Sequence, residues 1–191
     1  MAERNPWTLR ARRRAYANAW IAVDHDEVTD PGGRDGIYGV VRFANLAVGV
    51  VPLHDDGSVT LVGQYRYPLD RYTWEIPEGG GPRGEDPADT ARRELAEETG
   101  LRAQRFVELL RLELSNSVTD EKGVVYLATG LTQGVADPES TEDLRLRRLP
   151  LGEAVSLVLT GELRDSLTVA GLLAAERHLR VTGAAGGHSV G

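Results

Sequence analysis

The sequence predicts a mixed α/β or α+β domain, on three observations. β-Branched runs separated by turn residues fill the chain up to Pro77, one well-capped helix follows, and further strands lead into two C-terminal helices. Met1 to Tyr16 carries Arg4, Arg10, Arg12, Arg13 and Arg14 with Trp7 and Tyr16, and reads as a basic arm, solvated or partner-contacting. Ile21 and Val23 point one way and suggest a strand over Trp20 to Val28, closed by the turn Asp30-Pro31-Gly32-Gly33. Ile37 to Phe43 and Leu46 to Leu53 read as buried strands. Asp55-Asp56-Gly57 reads as a hairpin turn that pairs Val59 to Tyr65 back on the preceding run, so these segments are expected to share one early antiparallel sheet. Tyr72 to Pro77 is a short strand in which Trp74 is core or rim, core being favoured.

Asp86 then Pro87 is a helix start: an N-cap oxygen for orphan amides, then a proline at the first helical position, with Asp89 as a capping-box-like acid. The helix is expected to run from Pro87 to Thr99 and to stop at Gly100, a residue free to adopt the left-handed conformation. Ala88, Ala91, Leu95 and Thr99 share one face at helical spacing and should pack on a sheet. Beyond it, Arg102 to Leu114 is a long twisted strand, Ser115 to Gly123 a polar loop, and Val124 to Thr129 a buried strand. Residues 133–143 are acidic and irregular, and Leu144 to Leu149 is a last strand. Leu151 to Thr160 has helical periodicity closed by Gly161, and Asp165 or Ser166 caps a second helix reaching about Val181. The expected organisation is a basic arm over 1–16, one domain over 17–182, and a flexible tail over 183–191.

Composition narrows the function classes. The net charge of −7 argues against a general binder of nucleic acid or anionic membrane, so an enzyme acting on phosphates here needs local cations. The absence of cysteine excludes disulfides, thiolate metal sites and cysteine nucleophiles together. No apolar run approaches a membrane span and nothing reads as a signal peptide, so a cytoplasmic protein is expected.

The densest chemistry lies in Gly79 to Leu101, GGGPRGEDPADTARRELAEETGL. Glu94 and Glu98 stand one helical turn apart with Glu97 beside them. Like charges so placed destabilise an isolated helix by roughly 0.2–0.5 kcal/mol per pair, which points to a compensating cation. Hard oxygen donors at this density suit Mg2+ or Mn2+, with coordination positions left for water and phosphate. A bare acidic run would more simply be a solvated helix face. Glycines on both sides, and Arg93 one turn before Glu97, favour the metal reading, with the Arg93 fork as an orienting partner for the acids.

The spacing of Gly79, Glu85, Arg93, Glu94, Leu95, Glu97, Glu98, Gly100 and Leu101 resembles the Nudix box, GX5EX7REUXEEXGU with U apolar, at all nine constrained positions. The resemblance covers most of residues 17–181 and implies an α/β/α sandwich with a mixed β-sheet, the box helix on one face and the C-terminal helix on the other. Residues 65–79 and a loop aligned with SPGxxxE, here Ser115-Asn116-Ser117-Val118-Thr119-Asp120-Glu121, are similar to ADP-ribose and nucleoside-diphosphate-sugar pyrophosphatases. The loop keeps its glutamate, while Asn116 and Ser117 replace the proline and glycine and leave other nucleotide sugars open. The implied metal ligands are Glu94, Glu98, Glu97 and the backbone carbonyl of Glu78, with Mg2+ as cofactor and Mn2+ as substitute. The implied catalytic set is Glu121, Glu97 and Arg93, with Glu121 preferred as general base because box glutamates committed to cations are poorer bases. Arg66, Glu75 and Trp74 are implied on the substrate, and Gly79, Glu85 and Gly100 support the box. The activity implied is hydrolysis of the diphosphate of ADP-ribose or a related nucleoside diphosphate sugar to a nucleoside monophosphate and a sugar phosphate, by a homodimer. GDP-mannose, a dinucleotide or a nucleoside triphosphate is the second enzymatic reading, and a noncatalytic nucleotide sensor is a third.

Overall fold

A computed structural model describes residues 4–136 and 144–186. The expected irregular segment over 133–143 therefore lies largely outside the described residues, as does the end of the expected tail. The described residues form ten strands, three α-helices and one short 3-10 helix, Tyr67–Leu69. The outermost layer is an antiparallel three-stranded sheet of β1 (Thr8–Ala17), β2 (Ile21–Thr29) and β3 (Asp35–Phe43). A four-stranded mixed sheet follows in the order β7-β4-β9-β8, built from β4 (Asn45–Pro52), β7 (Glu78–Pro82), β8 (Leu101–Glu113) and β9 (Lys122–Gln133). A third sheet orders β10 (Arg145–Pro150), β5 (Ser58–Arg66) and β6 (Arg71–Glu75). The helices are α1 (Pro87–Thr99), α2 (Leu151–Leu159) and α3 (Ser166–Gly186).

The central sheet is covered on both faces, and its strands show why. Along β4 and β9, Val48, Val50, Val124, Tyr126 and Ala128 join a core with Ala91 and Leu95 of α1. The alternate residues Val51, Val125 and Leu127 join a second core with Leu167, Leu172 and Ala175 of α3. Side chains of a strand alternate between faces, so a continuous apolar run has to be buried on both sides. β4 and β9 are parallel, with Val48 beside Val124, and this pairing brings the box loop beside the loop ending in Glu121.

Three expectations are corrected here. Residues 8–17 are not a free arm but strand β1, because Arg12 and Arg14 lie opposite Asp26 and Asp24 of β2 and pair with them at 2.7 and 2.6 Å. Ile37 to Phe43 is a strand but not a buried one: Ile37 is 71% exposed, since β3 belongs to the outer sheet. The turn at Asp55 to Gly57 does not close a hairpin ladder. Beyond a single bridge between Leu53 and Val59, β4 pairs with β7 and β9 while β5 pairs with β10 and β6. The early strands therefore divide among three sheets. α3 also continues past the expected end at Val181, through the first residues assigned to the tail.

Candidate active site

The box helix has the ends its sequence dictates. Asp86 adopts extended backbone and its carboxylate accepts the Ala88 amide at 2.9 Å, Pro87 opens the helix, and Gly100 ends it at φ +70°. Packing of Ala91 and Leu95 on the central sheet turns Arg93, Glu94 and Glu98 toward the β7 strand.

Arg93 is the hub of that surface. Its guanidinium donates to Glu85 Oε1 and Glu94 Oε1, both at 3.0 Å, and to the Gly80 carbonyl at 3.2 Å, while Glu97 lies 3.7 Å away. Burial works against the arginine's charge, but the hydrogen bond to Glu94 and the charges of Glu94, Glu85 and Glu97 outweigh it and raise its pKa. Glu85 is also held by Thr90 Oγ1 at 3.2 Å. Glu98 is buried, and its Oε2 accepts the Glu78 amide at 3.0 Å. Gly79 passes so close to the Glu94 carboxylate that a Cβ there would overlap it, so any other residue would push the carboxylate out of this position.

Glu94, Glu97, Glu98 and the Glu78 backbone thus offer hard oxygen donors on adjoining surfaces. Among the described residues no three acidic or histidine side chains converge closely enough to hold a metal ion by themselves. A few carboxylates with room for water and phosphate suit a hard divalent cation in general, one whose remaining coordination positions are filled from outside the protein.

Two cavities meet at Arg66 and Glu78. The smaller one, about 380 Å³, brings Glu121 together with Arg66, Glu78, Gly79 and Gly80, and Trp20 stands on its rim. The larger one, about 610 Å³, is lined by Tyr72, Trp74, Glu75, Arg147, Arg164 and Asp165. Both are of a size that holds small ligands. Arg66 donates to Glu75 Oε2 from Nε at 2.9 Å and to Glu78 Oε1 from Nη2 at 2.9 Å. Burial opposes its charge, but the Glu75 hydrogen bonds and the charges of Glu75, Glu78 and Asp165 keep it firmly protonated. Thr73 Oγ1 completes the shell of Glu75 at 2.7 Å. Trp74 is half-buried, meets Tyr72 edge to face at 5.8 Å and packs on the α3-side core, so it is both core and rim. Burial and then the charge of Asp165 raise the pKa of Glu121. Burial, followed by Asp165 and Glu75, raises that of Glu78 further.

The structure thus groups Arg93, Glu94, Glu97 and Glu85 around one guanidinium, and places Glu121, Glu78, Arg66 and Gly79 in one cavity. Glu97, with a side chain 39% exposed, does not line that cavity. Three residues escaped the sequence reading. Asp165 was legible as a cap, and it does accept the Thr168 amide at 2.8 Å, but its charge also faces Glu78 and Glu121. Trp20 was legible only as a strand residue, although it is 70% exposed at the cavity rim. Asp120 had no local sequence signal.

Comparison with known proteins agrees with this fold. Residues 44–169 match the NUDIX domain, and residues 7–41 match the nucleoside diphosphate sugar hydrolase N-terminal domain. The chain is 39% identical over 163 residues to the ADP-ribose pyrophosphatase of Mycobacterium tuberculosis, covering 83% of this chain and 78% of that protein. It is 33% identical over 168 residues to a CMP-5'-(N-acetyl-N-hydroxy-3-aminopropyl)phosphonate hydrolase of Streptomyces rubellomurinus, covering 88% of this chain and 81% of that one. The crystal structure of an ADP compounds hydrolase has the same fold, with a TM-score of 0.85 at 21% identity over 96% of this chain and 99% of that chain. The complete box on a capped helix, the sandwich that carries it and the match over residues 44–169 together make the chain a member of the Nudix hydrolase family.

Proposed function

We propose that the protein hydrolyses the diphosphate of ADP-ribose or a related nucleoside diphosphate sugar, releasing a nucleoside monophosphate and a sugar phosphate. The observation that carries this reading is the cavity shared by Glu121, Arg66, Glu78 and Gly79, which brings a carboxylate from outside the box to the box loop. The N-terminal nucleoside diphosphate sugar hydrolase domain and the similarity to an ADP-ribose pyrophosphatase support the substrate class.

Glu94, Glu97, Glu98 and the Glu78 carbonyl would hold Mg2+, for which Mn2+ would substitute, and the ion when bound would supply positive charge against the diphosphate oxygens and acidify water. Glu121 accepts the proton of the attacking water, a role its raised pKa suits because a general base works best near the operating pH. Arg93 keeps Glu85, Glu94 and Glu97 in fixed orientation. Arg66 presents guanidinium charge to the substrate diphosphate, held in place by Glu75, and Trp74 borders the larger cavity, which takes the second half of the substrate. The protein works in the cytoplasm as a homodimer, without nucleic acid or membrane. Support for the dimer is the outer sheet, which exposes Leu9 and Tyr16 on β1 and Trp7 just before it. No helix among the described residues is long and apolar enough to cross a membrane.

The similarity to a hydrolase of a CMP-linked phosphonate supports a second reading, hydrolysis of a CMP conjugate of different leaving group. One panel decides: ADP-ribose, GDP-mannose, UDP-glucose, diadenosine polyphosphates, nucleoside triphosphates and a CMP-linked sugar, each with Mg2+, reading released monophosphate. The expected result is highest kcat/KM on ADP-ribose or another nucleoside diphosphate sugar. Turnover confined to the CMP conjugate or to triphosphates would replace this reading. A monomeric mass by light scattering at micromolar concentration would remove the dimer.

A further inference from the structure

The loop that carries Glu121 is fastened to the outer sheet by a set of bonds converging on its neighbour. Asp120 Oδ1 accepts the Phe43 amide of β3 at 2.9 Å, and the Asp120 amide donates to the Val41 carbonyl at 3.1 Å. On its other oxygen, Oδ2, lie Arg83 of the box loop at 3.4 Å and Arg42 of β3 at 3.6 Å. Arg83 donates in turn to the Phe43 carbonyl at 3.0 Å, so β3, the box loop and the Glu121 loop share one junction. Val41 also donates to the Val118 carbonyl at 2.9 Å, and Tyr38 Oη to the Ser117 carbonyl, which lays the loop along β3. On the far side of Glu121, its carbonyl accepts the Leu114 amide at 3.0 Å. Arg42 continues the chain of charges to buried Asp24 at 3.3 Å, and Asp24 holds Arg14 at 2.6 Å.

We propose that Asp120 is a positioning residue that fixes Glu121 relative to the box by joining the Glu121 loop to Phe43 and Arg83. This rests on the reading of Glu121 as general base. Arg83 is 62% and Asp120 27% exposed, so screening leaves their ion pair little weight in stability. Its consequence is geometric: a small displacement of a base from its water costs far more in rate than the pair contributes to folding. The same junction gives the outer sheet a part in catalysis, since β3 supplies three of the contacts.

The test is a cycle of kcat and KM on the preferred substrate with Mg2+, using Asp120→Ala, Glu121→Gln and the double variant. Asp120→Ala is expected to lower kcat on the order of 10- to 100-fold with KM nearly unchanged. The double variant is expected to be no slower than Glu121→Gln alone, because a residue that acts only through Glu121 has nothing left to position. Asp120→Asn keeps an oxygen for the Phe43 amide and loses the charge facing Arg83. It is expected to lose less rate than the alanine variant, and it replaces it in the cycle if that variant does not fold. A normal kcat in Asp120→Ala beside a slow Glu121→Gln overturns this inference alone, as do losses that multiply in the double variant. Full kcat in Glu121→Gln overturns the base assignment and this inference with it.

Discussion

The Glu98 carboxylate accepts the Glu78 amide at 3.0 Å, which ties the last turn of the box helix to the strand that opens the box loop. One buried oxygen therefore fixes the relation between two segments that both contribute proposed metal donors. The bond also explains how a carboxylate only 3% exposed is tolerated beneath a surface already rich in acids.

Glu98→Gln tests that relation. The glutamine retains an oxygen for the Glu78 amide but removes the charge, so folding should survive and cation binding should not. The expected outcome is a thermal midpoint close to wild type with divalent-cation affinity weakened at least about 10-fold. Mn2+ titration by calorimetry, beside a melting curve, reads both. Unchanged affinity would take Glu98 out of the ligand set.

Gly79 next to Glu94 gives a second test. Alanine at 79 would force the Glu94 carboxylate out of its position, because the added Cβ overlaps it. Displacing a ligand carboxylate by about an ångström is expected to lower kcat on the order of 10²-fold. Gly84→Ala makes the contrast: no atom lies within 4 Å of its Cβ, and only its positive φ of +99° is strained, so it should cost stability more than rate. Equal kcat losses in the two would mean that the Gly79 contact has no special role.

Much of this site was legible from spacing, because a capped amphipathic helix is a local object. Asp86, Pro87 and Gly100 set the boundaries of α1, and Ala91 and Leu95 set its buried face. What failed was non-local. Nothing near Val59 says that β5 pairs with β10 across more than eighty residues rather than with β4 across three. The arginines of β1 were misread for a different reason. Arg10, Arg12 and Arg14 alternate at the period of a strand, and Asp24 and Asp26 alternate to match, but the pairing shows only when the two runs are set opposite each other. Asp120 and Asp165 look like ordinary loop and cap residues because their reach to Arg83 and to Glu121 exists only after folding.

The assignment of the base predicts a pH profile. Glu121 must be ionised to act, and burial together with the charge of Asp165 raises its pKa. Rate should therefore fall on the acid side at a pH above the ordinary carboxylate range. Asp165→Asn keeps an oxygen for the Thr168 amide and removes the second cause, so the acid limb should move to lower pH. Glu121→Gln should abolish that limb and lower kcat about 10²- to 10⁴-fold. Near-normal turnover in Glu121→Gln, with a loss of several orders in Glu97→Gln, would transfer the role to Glu97.

The outer sheet should lose stability in acid, and the sign follows from Asp24. Its carboxylate is only 2% exposed, yet the hydrogen bond from Arg14 outweighs the cost of burial, Arg42 and Arg12 add to it, and the pKa is lowered. A carboxyl group with a folded pKa below its unfolded value stabilises fully above the unfolded pKa, and that contribution disappears as pH falls through the folded one. Asp24→Asn removes the charge with almost no change of shape and leaves Arg14 and Arg42 without it. At neutral pH the variant is expected to melt a few degrees below wild type. The gap should narrow as pH drops below the ordinary aspartate range, because wild-type Asp24 then becomes neutral as well. Melting curves of both proteins from pH 7 to pH 2.5 check this. A gap that stays constant across that range would assign the loss to packing or hydrogen-bond geometry and not to the charge of Asp24.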